Sequence, residues 1–273
     1  MADLNLNDIA GHVNDADYFH VPWFFMDGHI SIPWEIFGKQ ITKYMVIEVA
    51  VGLVLCAIFI PMALKMRGGK PLKGRFWNLM EVFLLYLRDN VIRPSIGKHD
   101  ADRFTPYLWT LFFFILGCNL VGMLPWSGSP TGSLSVTAVL ALTTFVIVNV
   151  AGMQRYGAGK YWLGLVPHMD LPPVLAIVLK PMLFLIEVVG LIIKHVVLSI
   201  RLLANMFAGH MVLAVFLAFI PMTAGTIWWF PVTIGSVSMA VCLSLLELFV
   251  AFLQAYIFMF LSALFIGMAV HQH

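Results

Sequence analysis

Residues 181–220 read PMLFLIEVVGLIIKHVVLSIRLLANMFAGHMVLAVFLAFI, a run broken only by Glu187, Lys194, His195, Ser199, Arg201, Asn205 and His210. Between Gly190 and Gly209 it contains no turn chemistry, so two upright helices joined near the middle are disfavoured. At about 1.5 Å per residue the run extends roughly 60 Å, twice the hydrocarbon thickness of a bilayer, and one steeply tilted helix is expected. Arg201 lies near its centre. A guanidinium keeps its proton in any protein environment, and a cation at mid-membrane costs at least about 2.5–3.5 kcal/mol on insertion scales. Such a residue marks a functional site with an anionic partner.

Composition supports the membrane. Of 273 residues 61% are hydrophobic and 11% charged, against about 25% charged in soluble domains. No stretch outside the apolar runs is long enough to bury a core of its own, so a single membrane domain over residues 43–273 is predicted, preceded by a polar segment over 1–42. That segment is acidic, carries His12, His20 and His29, and is broken by Pro22 and Pro33; no stable fold and no cleaved leader is expected in it. Cys56, Cys118 and Cys242 sit inside apolar runs without paired spacing, and read as small apolar residues, not as a disulfide frame or metal site.

Outward from the central run, Tyr44 to Leu64 is a first span, ended by Pro61 and the basic residues that follow. The loop from Lys65 to Arg103 holds nine of the sixteen Lys and Arg residues, which places it on the cytoplasmic side. Within it, Trp77 to Ile92 is too short and too charged to span, and is expected to lie on the inner membrane surface. Thr105 to Leu124 and Leu134 to Gly152 form a hairpin of two spans, joined by the uncharged turn Trp126 to Ser133 on the outer side. The break at Pro172-Pro173 precedes the central run, Pro221 to Pro231 forms an outer turn with Trp228 and Trp229, and Val232 to Val270 repeats the long apolar pattern. The expected fold is all-α, with five membrane elements including two long antiparallel C-terminal helices, the N-terminus outside and the C-terminus inside. The absence of an internal repeat argues against a transporter made of inverted halves.

Intervals of seven place Glu187, Lys194 and Arg201 on one stripe, with Asn205 on the same side and His210 half-way round the helix. On the second long helix Glu247 and Gln254 share a face. An antiparallel hairpin turning near residue 226 sets Arg201 at the level of Gln254, and His210 near Glu247. An imidazole and a carboxylate that titrate near neutrality can hand protons between water-filled cavities. Structural roles compete with these: interhelical hydrogen bonding for Asn119 and Ser244, snorkelling or mutual pairing for Glu187 and Lys194, packing for His195, and a fixed ion pair with Glu247 or Glu187 for Arg201. A b-type haem on His195 and His210 is disfavoured, because the second long helix offers no opposing His.

Arg201-Leu202-Leu203-Ala204-Asn205-Met206-Phe207-Ala208-Gly209-His210, followed by Glu247 and by Leu253-Gln254-Ala255-Tyr256-Ile257-Phe258, resembles subunit a of the F-type ATP synthase, and the resemblance extends from about residue 75 to the C-terminus. It implies a proton-translocating stator subunit without catalysis of its own, in a bacterial inner membrane. Its partners would be a ring of c subunits, whose carboxylates face Arg201, the peripheral-stalk subunit b and the rest of the complex. Two half-channels would reach the ring from opposite sides, with Arg201 between them holding the arriving carboxylate ionised. By position His210 and Glu247, with Asn119, would line the outer half-channel and Glu187 the inner one, while Asn205 and Gln254 flank Arg201. Many bacterial members carry Glu and His in the reverse order at the first two places; here they are exchanged, as in mitochondrial relatives. No cofactor, metal or nucleic acid is expected. The alternative is a secondary transporter that binds an anionic substrate at Arg201.

Overall fold

The computed structural model describes residues 18–20, 29–31, 35–36, 39–40, 42–67, 74–124, 129–165 and 173–271. Most of the polar segment 1–42, Pro125 with the start of the outer turn, and Pro172 lie outside the described residues. Before the first helix there are four strands of two or three residues, β1 (Tyr18–His20) paired antiparallel with β2 (His29–Ser31), and β3 (Glu35–Ile36) with β4 (Lys39–Gln40). These ladders of three and two residue pairs are the regular structure among the described residues of that segment.

The remainder is helical. Five helices are long and apolar enough to cross a membrane, over Lys43–Lys65, Ala101–Gly122, Leu134–Tyr156, Leu179–Met222 and Trp229–Val270. The first belongs to α1 (Lys43–Arg67), which runs through Pro61 instead of ending there. A proline is tolerated within a membrane helix because neighbouring groups can satisfy the carbonyl it strands. The surface helix begins as α2 (Arg75–Leu87), widens into a π-helical turn (Arg88–Ile92) and ends in α3 (Arg93–Ile96). Of the charges that interrupt its apolar pattern, Glu81 lies in α2 and Arg88 and Asp89 fall in the π turn, where Arg88 pairs with Asp102 at 2.9 Å and Asp89 with Arg93 of α3 at 2.7 Å. The hydrogen bond that Arg88 donates to Asp102 pushes the Arg88 pKa up.

Helices α4 (Ala101–Gly122) and α5 (Leu134–Tyr156) form the expected hairpin, and a short helix α6 (Ala158–Leu163) follows a turn at Gly157, whose φ of 83° favours glycine. The long helices are α7 (Pro173–Met222, 50 residues) and α8 (Trp229–Val270, 42 residues). The first begins eight residues before the apolar run at Pro181. Proline suits the first helical position because the N–H it lacks has no partner there and its φ is already helical. The turn between the two helices is tighter than the prolines suggested, since Met222 closes one helix and Pro231 lies in the first turn of the next.

The chain forms two compact units, each assembled from separated segments. One contains α1, Phe113–Thr137 and Leu202–Ala255. In it Tyr44, Ile47 and Val51, at helical spacing on α1, bury themselves against Cys118. The other contains Phe113's preceding segment from Pro71, Ala138–Arg201 and Tyr256–His273. Its core includes Ile92, Ile96, Leu108 and Ile266, all without measurable exposure. There α8 approaches α3 so closely that a Cβ on Gly267 would overlap the Ser95 carbonyl, and the Tyr156 hydroxyl donates to the Val270 carbonyl at 2.9 Å.

Candidate functional site: two polar clusters in apolar helices

In the first unit, His210 of α7 meets Glu247 of α8, with Nδ1 3.1 Å from Oε1. The imidazole is held by two carbonyls: Nδ1 is 2.8 Å from the oxygen of Met206, one turn earlier, and Nε2 is 2.8 Å from that of Gly122. A carbonyl oxygen only accepts, so the ring satisfies both contacts only when both nitrogens carry hydrogen. That form is a cation, and the Glu247 carboxylate beside it supplies the opposite charge. Glu247 is 6% exposed, and its Oε1 accepts no hydrogen bond among the described residues, so the ion contact is its main electrostatic partner.

Local sequence makes this meeting possible. Gly122 is the last residue of α4, and its carbonyl, like others in a helix's final turn, has no helical N–H partner. His210 fills that vacancy. Gly209 is equally constrained, because a Cβ there would stand 2.6 Å from Glu247 Oε1. Asn119, fully buried on α4, donates through Nδ2 to the Ala251 carbonyl at 3.1 Å and accepts at Oδ1 from the Thr131 hydroxyl at 2.6 Å. Thr131 also bonds Ser129 at 2.7 Å, and a Cβ on Gly122 would collide with Ser129. The turn after α4 is thereby tied to the same helix that carries Glu247. Asn205 and Gln254 belong to this unit too. The Asn205 Nδ2 is buried without a hydrogen-bond acceptor, and Gln254 is buried.

In the second unit Glu187, Lys194 and His195 of α7 line a cavity of about 340 Å³, together with Tyr161 of α6, Phe265 of α8 and His271. Tyr161 packs over Gly152, where a Cβ would overlap its ring, and its hydroxyl donates to Asn149 Oδ1 at 3.3 Å. Burial pushes the Tyr161 phenol up, so it remains a donor. His271 Nε2 lies 2.7 Å from the Ile96 carbonyl. Arg201 also belongs to this unit and is half-buried.

The structure thus joins His210, Glu247 and the surroundings of Asn119 in one unit, and puts Glu187 in a cavity in the other. Sequence reasoning missed Thr131, Ser129, Gly122, Gly209 and Tyr161. The glycine and hydroxyl content of the turn before Leu134 was visible, but signalled only a loop. Among the described residues no group of three or more His, Cys, Asp or Glu could hold a metal ion.

Fold and clusters define a multi-pass α-helical membrane protein that keeps charged and titratable side chains inside its longest apolar helices. The chain belongs to the ATP synthase A chain family, whose profile matches residues 45–267. It is 46% identical over 200 residues to ATP synthase subunit a of Anaeromyxobacter dehalogenans (strain 2CP-C), covering 72% of this chain and 50% of the relative. It is 41% identical over 251 residues to the subunit a of Myxococcus xanthus, covering 91% of this chain and 77% of the relative. With that of Chloroherpeton thalassium it shares 38% identity over 270 residues, 96% of this chain and 74% of the relative. The chain thus spans about half the length of the Anaeromyxobacter relative that it matches.

Proposed function

We propose that this chain is the proton-path stator subunit of a rotary F-type ATP synthase in a bacterial plasma membrane. It carries out no covalent chemistry. The observation that carries the proposal is the contact of His210, on the helix that also bears Arg201, with the buried Glu247 of α8. One imidazole and one carboxylate, 3.1 Å apart in otherwise apolar helices, form a relay that can accept a proton on one side and release it on the other.

In this scheme protons enter from outside by way of His210 and Glu247, with Asn119 bracing that entry. They pass to a carboxylate on a ring of c subunits, and leave through the cavity containing Glu187. Arg201, flanked by Asn205 and Gln254, separates the two paths, so that a carboxylate reaches it only after giving up its proton. Each elementary charge crossing then gains about 2.3 kcal/mol per 100 mV, provided that protons move only with ring rotation. The segment 1–42 lies outside, residues 43–273 form one membrane domain, and the C-terminus lies in the cytoplasm beside the basic surface helix. A peripheral-stalk subunit b holds the stator against the ring's torque.

The test is Arg201→Ala in membranes with the complex assembled, with proton-driven ATP synthesis as the readout. Synthesis is expected to vanish while the complex remains intact; retained, fully coupled synthesis overturns the proposal. A double replacement of His210 and Glu247 by Ala that left synthesis unchanged would remove that pair from the path.

A further inference from the structure

His195 is 5% exposed. Its ring is gripped between Phe145 of α5, with centroids 5.2 Å apart and nearly perpendicular planes, and Phe265 of α8, at 5.1 Å. Nδ1 lies 2.9 Å from the carbonyl of Leu191. Because that oxygen can only accept, Nδ1 carries the hydrogen, and in the neutral ring the basic lone pair is on Nε2. Nε2 is buried and has no hydrogen-bond partner among the described residues, and His195 lines the 340 Å³ cavity, which has room for water. A residue serving only to pack between two phenylalanines would do better as a third. Leaving a buried polar nitrogen unsatisfied costs about 1–3 kcal/mol, which a phenyl ring would avoid.

We propose that His195 is a further proton carrier of this chain, taking up a proton at Nε2 from water in the cavity and releasing it toward Glu187. This rests on the proposed function, and assigns to the exit path an imidazole whose Nε2 lone pair can carry a proton. Along α7, His195 lies about 9 Å from the level of Arg201, and Glu187 about 12 Å beyond it, at 1.5 Å per residue. The carrier therefore stands between the ring-facing cation and the carboxylate. In the uptake step an N–H bond forms at Nε2 as an O–H bond of hydronium breaks, while Nδ1 keeps its hydrogen on Leu191. In the release step the Nε2–H bond breaks and the proton passes to the next water. Among the described residues the titratable and charged groups around the cavity are Glu187 and Lys194 on its own helix, Tyr161 on α6 and His271 after α8; α5 and α8 face the ring with Phe145 and Phe265.

The experiment uses vesicles holding the whole complex with its catalytic head stripped off, in which proton conduction under an imposed potential is followed as the pH on the cytoplasmic face is varied. His195→Gln keeps a polar side chain but cannot titrate; His195→Phe keeps the packing but has no lone pair. Both are expected to slow conduction roughly tenfold or more, and to remove the inflection that the unmutated complex shows near neutral pH. In His195→Ala, added imidazole is expected to restore part of the rate, which a purely structural role would not allow. Wild-type rate and pH profile in assembled His195→Gln complexes overturn the proposal, as does failure of both the Gln and Phe variants to assemble with the ring, which would assign His195 to packing. If the unmutated complex conducts no protons at all, the proposed function falls and this inference with it. Conduction in the unmutated complex combined with indifference to His195→Gln removes only the inference.

Discussion

His210 has an acceptor at each ring nitrogen and a carboxylate at one of them, so the three groups stand or fall together. Replacing Glu247 by Gln removes the buried carboxylate that faces the half-buried His210 ring. The expected destabilisation is about 3–5 kcal/mol, to be read as earlier thermal release of the subunit from the purified complex, with proton-driven synthesis lost alongside. Gly209→Ala forces a methyl group against Glu247 Oε1, with an expected cost of about 1–3 kcal/mol; unchanged synthesis and stability in that variant would mean that the helices can part freely. At this scale the chemical types were legible in sequence, since an imidazole and a carboxylate in apolar runs stand out. The bond to the Gly122 carbonyl was not, because it depends on where α4 stops, and helix ends are set by local capping and packing that periodicity does not reveal.

Among the elements, the turn before α5 does more than connect. Thr131 holds Asn119, and Asn119 holds the Ala251 carbonyl on the helix that carries Glu247. Thr131→Val keeps the shape but leaves Asn119 Oδ1 buried without a donor, at an expected cost of about 1–3 kcal/mol. Thr131→Ser should restore most of it, and limited proteolysis of the α4–α5 turn would resolve the three proteins. The lengths of the apolar runs made the hairpin and both long helices legible from sequence. Proline misled at Pro61, where a membrane helix continued through it, and at the start of α7, where it opened the helix instead of marking a gap. Helix α6 was invisible because six residues are too few for a periodic signal, and its Tyr161 finds its place only against Gly152.

For the whole molecule, the proposed topology puts the basic surface helix on the cytoplasmic side and the uncharged Trp-containing turn on the outer side. With the three cysteines replaced, a cysteine at Lys98 should react with an impermeant thiol reagent only from the cytoplasmic side, and one at Thr226 only from the other; both positions are exposed. The reverse labelling would invert the topology. The partner proposed for Arg201 is a carboxylate of another chain, which the sequence of this chain could not supply. The length of α7 also bears on how the protein is made. An insertion apparatus that accepts about twenty apolar residues as one span meets two qualifying windows between Leu179 and Met222, with Arg201 at the seam. Read early, that stretch invites threading as two short passes, with the arginine drawn back to the cytoplasm. Only when Trp228, Trp229 and the next helix emerge does the single slanting pass become the better solution. A chain arrested before residue 229 is therefore expected to be handed to quality control instead of waiting in the bilayer.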